Sequence, residues 1–288
     1  MSLDQINFQY CDEMVEKFKS VVRQPVCGKN DNYYVGVDLG TACIVTVVLN
    51  EDKEPVAGAY EYADVVRDGM VVDYIGAVEI VRRMKKELEE KLGVDELIYA
   101  AAAIPPGTDD LDGGAVKNVV EAAGYVVTTL KDESSAANEV LNIKNGAVVD
   151  IGGGTTGISI FKDGKVIYVA DEPTGGTHFS LVLAGAYKKS FEDAELFKRN
   201  PLNHKEILPV LKPVIEKVSA IICKHVEGYQ VDSISLVGGT CCLEEIEDII
   251  QKKTGIPTYK PLDPMFVTPL GIACSCVEEK IRGGGIWM

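Results

Sequence analysis

Ala147-Val-Val-Asp150-Ile-Gly-Gly-Gly-Thr155-Thr-Gly-Ile-Ser-Ile-Phe161 is the stretch that decides the fold. It contains an apolar strand, an aspartate, a glycine-rich turn with a threonine, and a second strand. About a hundred residues earlier, Val35-Gly-Val-Asp38-Leu-Gly-Thr41-Ala-Cys-Ile-Val-Thr-Val47 has the same order of features. A repeat at this distance indicates duplicated domains rather than a solenoid of short units. The sequence therefore predicts two similar α/β lobes with a site between them.

The glycines of the second copy formally match the dinucleotide-binding fingerprint, which requires a helix directly after the glycines. Here the strand from Ile158 to Phe161 is followed by Asp163-Gly164, which is the signal of a two-residue β-hairpin. A dinucleotide site of that kind is therefore excluded. The sequence also contains neither a GxxxxGK[ST] loop nor the HRD and DFG motifs of protein kinases.

Two glycine-rich hairpin tips that face each other are suited to holding a polyphosphate. Glycines let backbone N–H groups approach phosphate oxygens closely, and the hydroxyl groups of Thr41 and Thr155 can donate hydrogen bonds. Asp38 and Asp150 each follow a strand, where a carboxylate suits Mg²⁺, which takes one or two protein ligands and keeps most of its waters. A single Asp-x-Gly turn is more often structural, but the duplicated pair favours a phosphate and metal site.

Hydrophobic periodicity places the other elements around the two hairpins. Gly238-Gly239 follows a buried strand and could admit a flat base against bare backbone, although this signal is weak alone. We expect helices at 76–92, 113–123, 179–189, 210–227 and 243–252 and a last helix from Thr268, with strands at 33–38, 43–49, from Pro55, at 97–104, 125–130, 166–170 and 233–237.

Composition excludes several classes of function. The 288 residues carry 29 Lys and Arg against 44 Asp and Glu, which gives a net charge of −15. Such a surface repels nucleic acid and anionic membranes, so we expect neither as a partner. No apolar stretch is long enough to cross a bilayer, and no secretory signal is recognisable, so we expect a cytoplasmic protein. The eight cysteines form no CxxC pair and are expected to be reduced, buried thiols; only Cys241-Cys242 and Cys274-x-Cys276 hint at a redox or metal role.

Residues 4–23 predict a helix that stands apart from the first lobe. Its apolar stripe consists of Phe8, Cys11, Val15, Phe18 and Val22, which recur at helical spacing. The stripe fits either packing on the body of the protein or docking into the groove of a partner. A polar linker follows.

Five motifs in order resemble those of the actin, sugar-kinase and heat-shock-chaperone ATPase superfamily. The resemblance covers residues 33–276 and implies an α/β fold of two duplicated actin-like (ribonuclease-H-like) lobes with a nucleotide cleft between them. The motifs are Val37-Asp-Leu-Gly-Thr41 and Val149-Asp-Ile-Gly-Gly-Gly-Thr155 (phosphate loops), Asp132-Glu-Ser-Ser-Ala-Ala137 and Thr268-Pro-Leu-Gly-Ile-Ala273 (connecting helices), and Leu236-Val-Gly-Gly-Thr240 (adenosine loop).

The closest likeness is to the chaperone-like proteins encoded with bacterial ethanolamine-utilisation microcompartments. It rests on Tyr62-Ala-Asp-Val-Val-Arg-Asp-Gly69, Pro105-Pro-Gly-Thr108 and Ala194-Glu-x-x-Lys-Arg199. This resemblance implies ATP and Mg²⁺ as ligands and location in the cytoplasm or the microcompartment. The partner it implies is a microcompartment enzyme, such as the cobalamin-dependent ethanolamine ammonia-lyase, or a shell protein; a second copy of the chain is a further candidate.

The resemblance also implies roles for individual residues. Asp38, Glu133 and Asp150 form the catalytic set, in which the two aspartates hold Mg²⁺ through its waters and Glu133 orients the attacking water. The remaining residues bind the nucleotide: Gly40, Thr41, Gly152, Gly153, Gly154 and Thr155 at the phosphates, Glu195 and Lys198 at the ribose, and Gly238 and Gly239 at the adenine.

Departures from the chaperone pattern argue against fast hydrolysis and peptide cycling. The connecting helix reads Glu133-Ser134-Ser135 where the chaperones have Glu-Pro-Thr, and the first loop has Ala42 in place of a second threonine. Their catalytic lysine has no counterpart here, and no peptide-binding domain follows Val277. Fewer groups would therefore stabilise charge in the transition state.

Three functions follow as hypotheses. The favoured one is an ATP- and Mg²⁺-binding module that closes on nucleotide and assists a partner protein, with weak ATPase activity at most. The others are a non-catalytic adaptor or filament protein and a small-molecule kinase, for which the chain leaves little room. We expect an N-terminal helix and linker at 1–32, lobe I at 33–142 plus 268–288, and lobe II at 143–267.

Overall fold

The computed structural model describes residues 8–26, 32–67, 69–107 and 110–277, without the side chains of 110–113. The first residues of the predicted N-terminal helix, most of the linker, Cys27 and the C-terminal tail lie outside this description. In chain order the elements are α1 (Gln9–Arg23), β1 (Tyr34–Leu39), β2 (Cys43–Leu49), β3 (Pro55–Tyr62), β4 (Val66–Arg67), β5 (Met70–Val71), α2 (Tyr74–Leu92), β6 (Tyr99–Ile104), α3 (Asp110–Ala122), β7 (Val126–Asp132), α4 (Glu133–Leu141), β8 (Gly146–Ile151), β9 (Thr156–Lys162), β10 (Lys165–Glu172), α5 (Gly176–Tyr187), α6 (Phe191–Arg199), α7 (His204–Val226), β11 (Ile234–Val237), α8 (Ile246–Thr254), β12 (Thr258–Tyr259) and α9 (Val267–Ser275).

Two five-stranded sheets share one topology. The first has the order β3-β2-β1-β6-β7 and the second β10-β9-β8-β11-β12. In each sheet the first three strands along the chain pair antiparallel as a meander, and the last two add parallel on the other side. The duplication predicted from the two hairpins therefore extends to the whole sheet of each lobe.

Burial of β2 on both faces explains its continuous apolar sequence. All seven residues are buried. Ile44 and Val48 pack in the core beneath α2, whereas Val45 and Val47 pack in a second core with α1, α4 and α9. Strands covered on both faces read as unbroken apolar runs rather than as alternating patterns.

Helices α4 and α9 cross at very short range beside the first sheet. A Cβ atom at Gly271 would lie 1.8 Å from the carbonyl oxygen of Ala136, and one at Gly36 would lie 2.4 Å from the backbone nitrogen of Ala273. Only glycine fits at these two contacts. The close packing fixes the two connecting helices against each other at the point where the chain passes between the sheets.

Helix α1 packs on the body of the protein. Its buried residues Cys11, Val15 and Phe18 belong to the same core as Val45 and Val47 of β2, and the rings of Phe18 and Phe266 lie 5.2 Å apart. Lys19 forms an ion pair with Asp263 at 2.7 Å. Of the two alternatives for the apolar stripe, the structure shows the packed one.

Several boundaries differ from those expected. The long helix α7 begins at His204, not near 210, and contains Pro209 and Pro213. Proline is a common helix boundary because it lacks an N–H donor, which made the earlier start hard to predict. Helix α6, the β4–β5 hairpin and β12 were not predicted at all.

No helix among the described residues is long and apolar enough to cross a membrane. The seven described cysteines are all free, and burial raises the pKa of Cys43 and Cys242 to about 12. Thiols that resist ionisation are poor nucleophiles and metal ligands.

Candidate functional site

A cleft of about 1320 Å³ lies between the two sheets. Both lobes and the segment before α9 contribute to its walls. Every residue that the sequence predicted for the site lines it: Asp38, Gly40, Thr41, Glu133, Asp150, Gly152, Gly153, Gly154, Thr155, Glu195, Lys198, Gly238 and Gly239.

The two glycine-rich loops meet across the cleft. A Cβ atom at Gly153 would lie 3.1 Å from the Cβ atom of Ala42 and 3.2 Å from its backbone nitrogen. A larger side chain at position 153 would therefore push against the first loop. The predicted arrangement of facing hairpin tips is present in the structure.

The second loop is held from behind by α5 and by the turn after β11. The backbone N–H groups of Gly176 and Thr177 donate to the carbonyl oxygens of Gly152 and Gly153 at 2.9 and 2.8 Å. The Thr240 hydroxyl donates to the Gly152 carbonyl at 2.7 Å. These hydrogen bonds to the carbonyl oxygens of Gly152 and Gly153 support the second loop in the observed conformation.

Asp150 is the penultimate residue of β8 and is 6% exposed. The Thr268 hydroxyl donates to its Oδ2 atom at 2.6 Å. Its Oδ1 atom lies against the backbone of Gly238, where a Cβ atom would approach it to 2.3 Å and where φ is +91°. The adenosine-loop glycine is thus required by both its conformation and its contact with the carboxylate.

The carboxylates at the base of the cleft repel one another. Burial and, to a smaller extent, the charge of Asp150 raise the pKa of Asp38 to about 7. Burial raises the pKa of Asp150 to about 6, against the opposing effect of the Thr268 hydrogen bond. The pKa of Glu133 is well above its ordinary range because of burial and then because of Asp150 and Asp38. The charged neighbours of these three groups, within the described residues, are all other carboxylates.

This donor set fits Mg²⁺. Carboxylate oxygens beside threonine hydroxyls and glycine N–H groups suit a hard cation that carries waters and phosphate oxygens. The described residues contain no cluster of three or more side chains that would enclose a metal ion by themselves.

Glu195 and Lys198 form an ion pair at 2.8 Å on α6. Burial lowers the pKa of Lys198, although Glu195 counteracts this. Burial would raise the pKa of Glu195, but Lys198 and the hydroxyl of Ser180 outweigh it and the net shift is downward. Lys198 also donates to the Gly176 carbonyl at 2.9 Å, which couples the pair to the support of the second loop.

Sequence reasoning missed three parts of this region. Thr268 belongs to a recognised motif, but nothing in the sequence indicated its bond to Asp150. Asp171 lies near the end of β10 and accepts a hydrogen bond from Thr155, and burial raises its pKa to about 6. The Arg199 guanidinium lies 3.9 Å above the Tyr62 ring, which joins α6 of the second lobe to β3 of the first.

The sequence is similar to one protein-family model and to proteins of two named kinds. The family model "Type IV pilus assembly protein PilM" matches residues 111–267. "Ethanolamine utilization protein EutJ" of Escherichia coli (strain K12) is 41% identical and covers 96% of this chain and 97% of its own. "Chaperone protein HscA homolog" of Burkholderia thailandensis is 27% identical, and the match covers 83% of this chain but 49% of that protein.

Solved structures of related proteins have the same fold as this chain. The crystal structure of ethanolamine utilization protein EutJ from Carboxydothermus hydrogenoformans is 46% identical, with a TM-score of 0.87, and the match covers 93% of this chain and 98% of that one. MreB5 of Spiroplasma citri bound to AMPPNP has a TM-score of 0.69 at 17% identity, covering 84% and 95%. The second likeness shows the fold alone, and that fold is actin-like.

Proposed function

The chain belongs to the EutJ family of ethanolamine utilization proteins, within the group that the PilM family model describes, and from this premise we propose that it binds ATP and Mg²⁺ and acts as a chaperone-type protein. Its client would be an enzyme or shell protein of the ethanolamine-utilisation microcompartment. The observation that carries the nucleotide site is the pair of glycine loops in contact across a cleft whose base holds three mutually repelling carboxylates.

Each loop has a part in holding the phosphates. The hydroxyl of Thr41 and the backbone N–H groups of Gly153 and Gly154 would donate to the phosphate oxygens. The Gly152 N–H already donates to the Thr155 carbonyl oxygen at 3.0 Å and the Thr155 hydroxyl to Asp171, so these two groups would reach a phosphate only by exchanging partners. Asp38 and Asp150 would hold Mg²⁺ through its waters. The metal, when bound, neutralises phosphate charge and orients the triphosphate. Its positive charge would also relieve the repulsion among the carboxylates, so that binding and cleft closure reinforce each other.

The nucleoside would lie on the second lobe. Gly239 leaves open space, since the nearest atom to a Cβ there is Cγ of Met265 at 3.9 Å, and this bare backbone suits the flat face of adenine. Glu195 and Lys198 would contact the ribose hydroxyls from α6. Lys198 uses two bonds within the protein and has a third N–H available by its chemistry.

Slow hydrolysis is supported by the lack of an available cation. In the described part of the cleft lining, each Lys and Arg side chain lies within 4 Å of a protein carboxylate; these pairs are Lys19–Asp263, Arg67–Asp64, Lys198–Glu195, Arg199–Glu195 and Lys260–Glu247. Transition-state charge at the γ-phosphate would be stabilised mainly by loop N–H groups and by Mg²⁺. Glu133 would orient the attacking water.

A second candidate is a non-catalytic adaptor or filament protein. The actin-like fold shared with MreB5 favours it, because nucleotide could serve there only to rigidify the lobes. Sedimentation velocity over a range of protein concentrations with Mg·ATP separates the two. Concentration-dependent assembly supports the adaptor or filament, and a constant sedimentation coefficient supports the chaperone-type protein.

Thermal melting with and without Mg·ATP tests nucleotide binding. At a hundred times the Kd, a ligand stabilises by about 2.7 kcal/mol, which raises Tm by roughly 5–10 °C for a domain of this size. Asp150→Asn should lose this shift. The matched control is Asp248→Asn, on the exposed surface of α8, which should keep it. The absence of a shift in the parent protein at millimolar Mg·ATP would overturn the proposed ligand.

A further inference from the structure

The cleft wall beside the adenosine loop is a short segment between β12 and α9. Its five residues, 262–266, all line the cleft, and we call this segment the base wall. The Gly238 backbone N–H donates to the Pro264 carbonyl oxygen at 3.0 Å. Cys242 follows the same loop, and its thiol donates to Oδ1 of Asp263 at 3.7 Å. The base wall is thus hydrogen-bonded to the second lobe at two consecutive residues.

Met265 brings the base wall to the place proposed for the adenine. Its Cγ atom is the nearest atom to a Cβ built at Gly239, at 3.9 Å. Its sulfur lies 4.0 Å from the hydroxyl of Tyr62, on β3 of the first lobe. A methionine side chain is polarisable and packs favourably against aromatic rings. The position of the base wall therefore determines the room and the contacts available to a base lying against Gly239.

Helix α1 holds the base wall from the other side. Oδ1 of Asp12 accepts a hydrogen bond from the Leu262 backbone N–H at 2.9 Å. Lys19 follows Asp12 by seven residues, a spacing that puts both on one face of a helix, and it forms an ion pair with Oδ2 of Asp263 at 2.7 Å. Asp263 therefore uses one carboxylate oxygen toward the second lobe and the other toward α1.

Helix α1 is itself attached to the first lobe. The Phe18 ring is fully buried, and its Cε2 atom lies 2.2 Å from where a Cβ atom at Gly58 of β3 would be. Lys17 forms an ion pair with Glu54, next to the start of β3, at 2.8 Å. The helix thus joins the sheet of the first lobe to a segment that is bonded to the second lobe, on the base side of the cleft.

We propose that Asp12 and Lys19 are positioning residues of the nucleotide site, which set the affinity for the adenine base by holding the base wall in place. This inference rests on the proposed nucleotide function and adds the N-terminal helix to that site. The two residues act through the base wall and touch neither phosphate loop. The second phosphate loop has its own support from α5 and Thr240. Loss of the α1 contacts should therefore weaken recognition of the base and leave recognition of the phosphates intact.

Calorimetric titration of the full chain with two ligands tests this division. Mg·ADP carries the base, whereas Mg·tripolyphosphate carries phosphates alone. The double variant Asp12→Ala/Lys19→Ala should bind Mg·ADP about tenfold more weakly, which corresponds to about 1.4 kcal/mol and suits the loss of one charged hydrogen bond and one exposed ion pair. It should bind Mg·tripolyphosphate as the parent protein does. Asp12→Asn alone should keep the parental affinity for Mg·ADP, because an amide oxygen can also accept the Leu262 N–H, whereas Asp12→Ala should not.

Lys17→Ala is the matched control, because Lys17 lies on the same helix but pairs with Glu54 of the first lobe. It should change neither affinity. Parental Mg·ADP affinity in the double variant, or equal losses for Mg·ADP and Mg·tripolyphosphate, would overturn the inference while the nucleotide site would stand. Equal Mg·ADP affinities in Asp12→Asn and Asp12→Ala, or a loss of the same size in Lys17→Ala, would also overturn it. A parent protein that binds no Mg·ADP would overturn the proposed function and this inference together.

Discussion

At the scale of single residues, the buried carboxylate of Asp38 lowers the free energy of unfolding of the nucleotide-free protein when it is charged. Its carboxylate is held beside Asp150, and within the described residues no cation offsets the charge of this pair. Functional sites commonly retain groups that the folded state would otherwise exclude. We expect this unfavourable arrangement of carboxylates to give the cleft a strong preference for Mg²⁺ together with phosphate.

The pH dependence of stability follows from these carboxylates. The folded pKa of Asp38 is about 7 against an ordinary value of 3.8, so the folded chain keeps this proton to a higher pH than the unfolded chain does. The resulting stability is complete below about pH 4 and is lost as the pH rises to about 7. Asp150 and Asp171, with pKa values of about 6, act in the same direction. We expect the melting temperature of the nucleotide-free protein to fall between about pH 5 and about pH 7.5.

Asp38→Asn checks the origin of that slope. The amide cannot ionise, so the variant should melt a few degrees above the parent protein near neutral pH while losing its response to Mg·ATP. Asp248→Asn, outside the cleft, should retain the parental slope. An unchanged slope in Asp38→Asn would show that this carboxylate is not responsible.

Single residues could be predicted where the sequence places them in a repeated pattern. Asp38 and Asp150 each follow a strand and precede a glycine turn, so their duplication indicated a shared site. Asp171 has no such signal, because its place beside Thr155 depends on the register of β10 against β9. Thr268 reaches Asp150 from 118 residues away in the chain. Contacts of this kind are set by tertiary structure, which local pattern does not encode.

At the scale of secondary-structure elements, the crossing of α4 and α9 is the most tightly constrained contact. The carbonyl oxygen of Ala136 lies only 1.8 Å from where a Cβ atom at Gly271 would be. Gly271→Ala should therefore destabilise the protein by about 1–3 kcal/mol or more, as overpacking of a core does. Urea unfolding measures this effect.

Gly185→Ala provides the control for that variant. Gly185 lies on the exposed face of α5 with no atom within 4 Å of its Cβ position. Alanine is a better helix former, so this change should be neutral or should stabilise by up to about 1 kcal/mol. Equal effects of the two substitutions would contradict the close crossing.

Helix α1 is expected to behave as part of the core. Phe18 is fully buried against Phe266 and Gly58, so Phe18→Ala should cost about 3–5 kcal/mol in unfolding free energy. Tyr10 on the same helix is 53% exposed, and Tyr10→Ala should change stability by less than about 1 kcal/mol. A small effect of Phe18→Ala would mean that α1 is only loosely docked in solution.

Local sequence pattern predicted the presence of α1 but did not determine its packing partner or the start of α7. The spacing of Cys11, Val15 and Phe18 predicted an amphipathic α1, but an apolar stripe does not specify whether it meets its own chain or a partner. Helix α7 runs through Pro209 and Pro213 because its buried face packs along the second sheet. Tertiary packing there outweighs the local cost of proline.

At the scale of the whole molecule, the repeat predicted more than any single motif. Two copies of one hairpin implied two lobes, and the two sheets have the same strand order. The relation between the lobes could not be predicted in the same way. The placement of one lobe against the other depends on long-range contacts, such as Arg199 over the Tyr62 ring and Gly153 against Ala42. Hydrophobic periodicity in the sequence does not indicate such contacts.

Binding of one nucleotide between the two glycine loops is decided by a crystal structure of the protein grown with Mg²⁺ and AMPPNP. We expect the triphosphate between Thr41 and the loop from Gly152 to Thr155, with Mg²⁺ joined through waters to Asp38 and Asp150. A cleft that contains no nucleotide at saturating concentration, or a nucleotide bound elsewhere on the molecule, would contradict it.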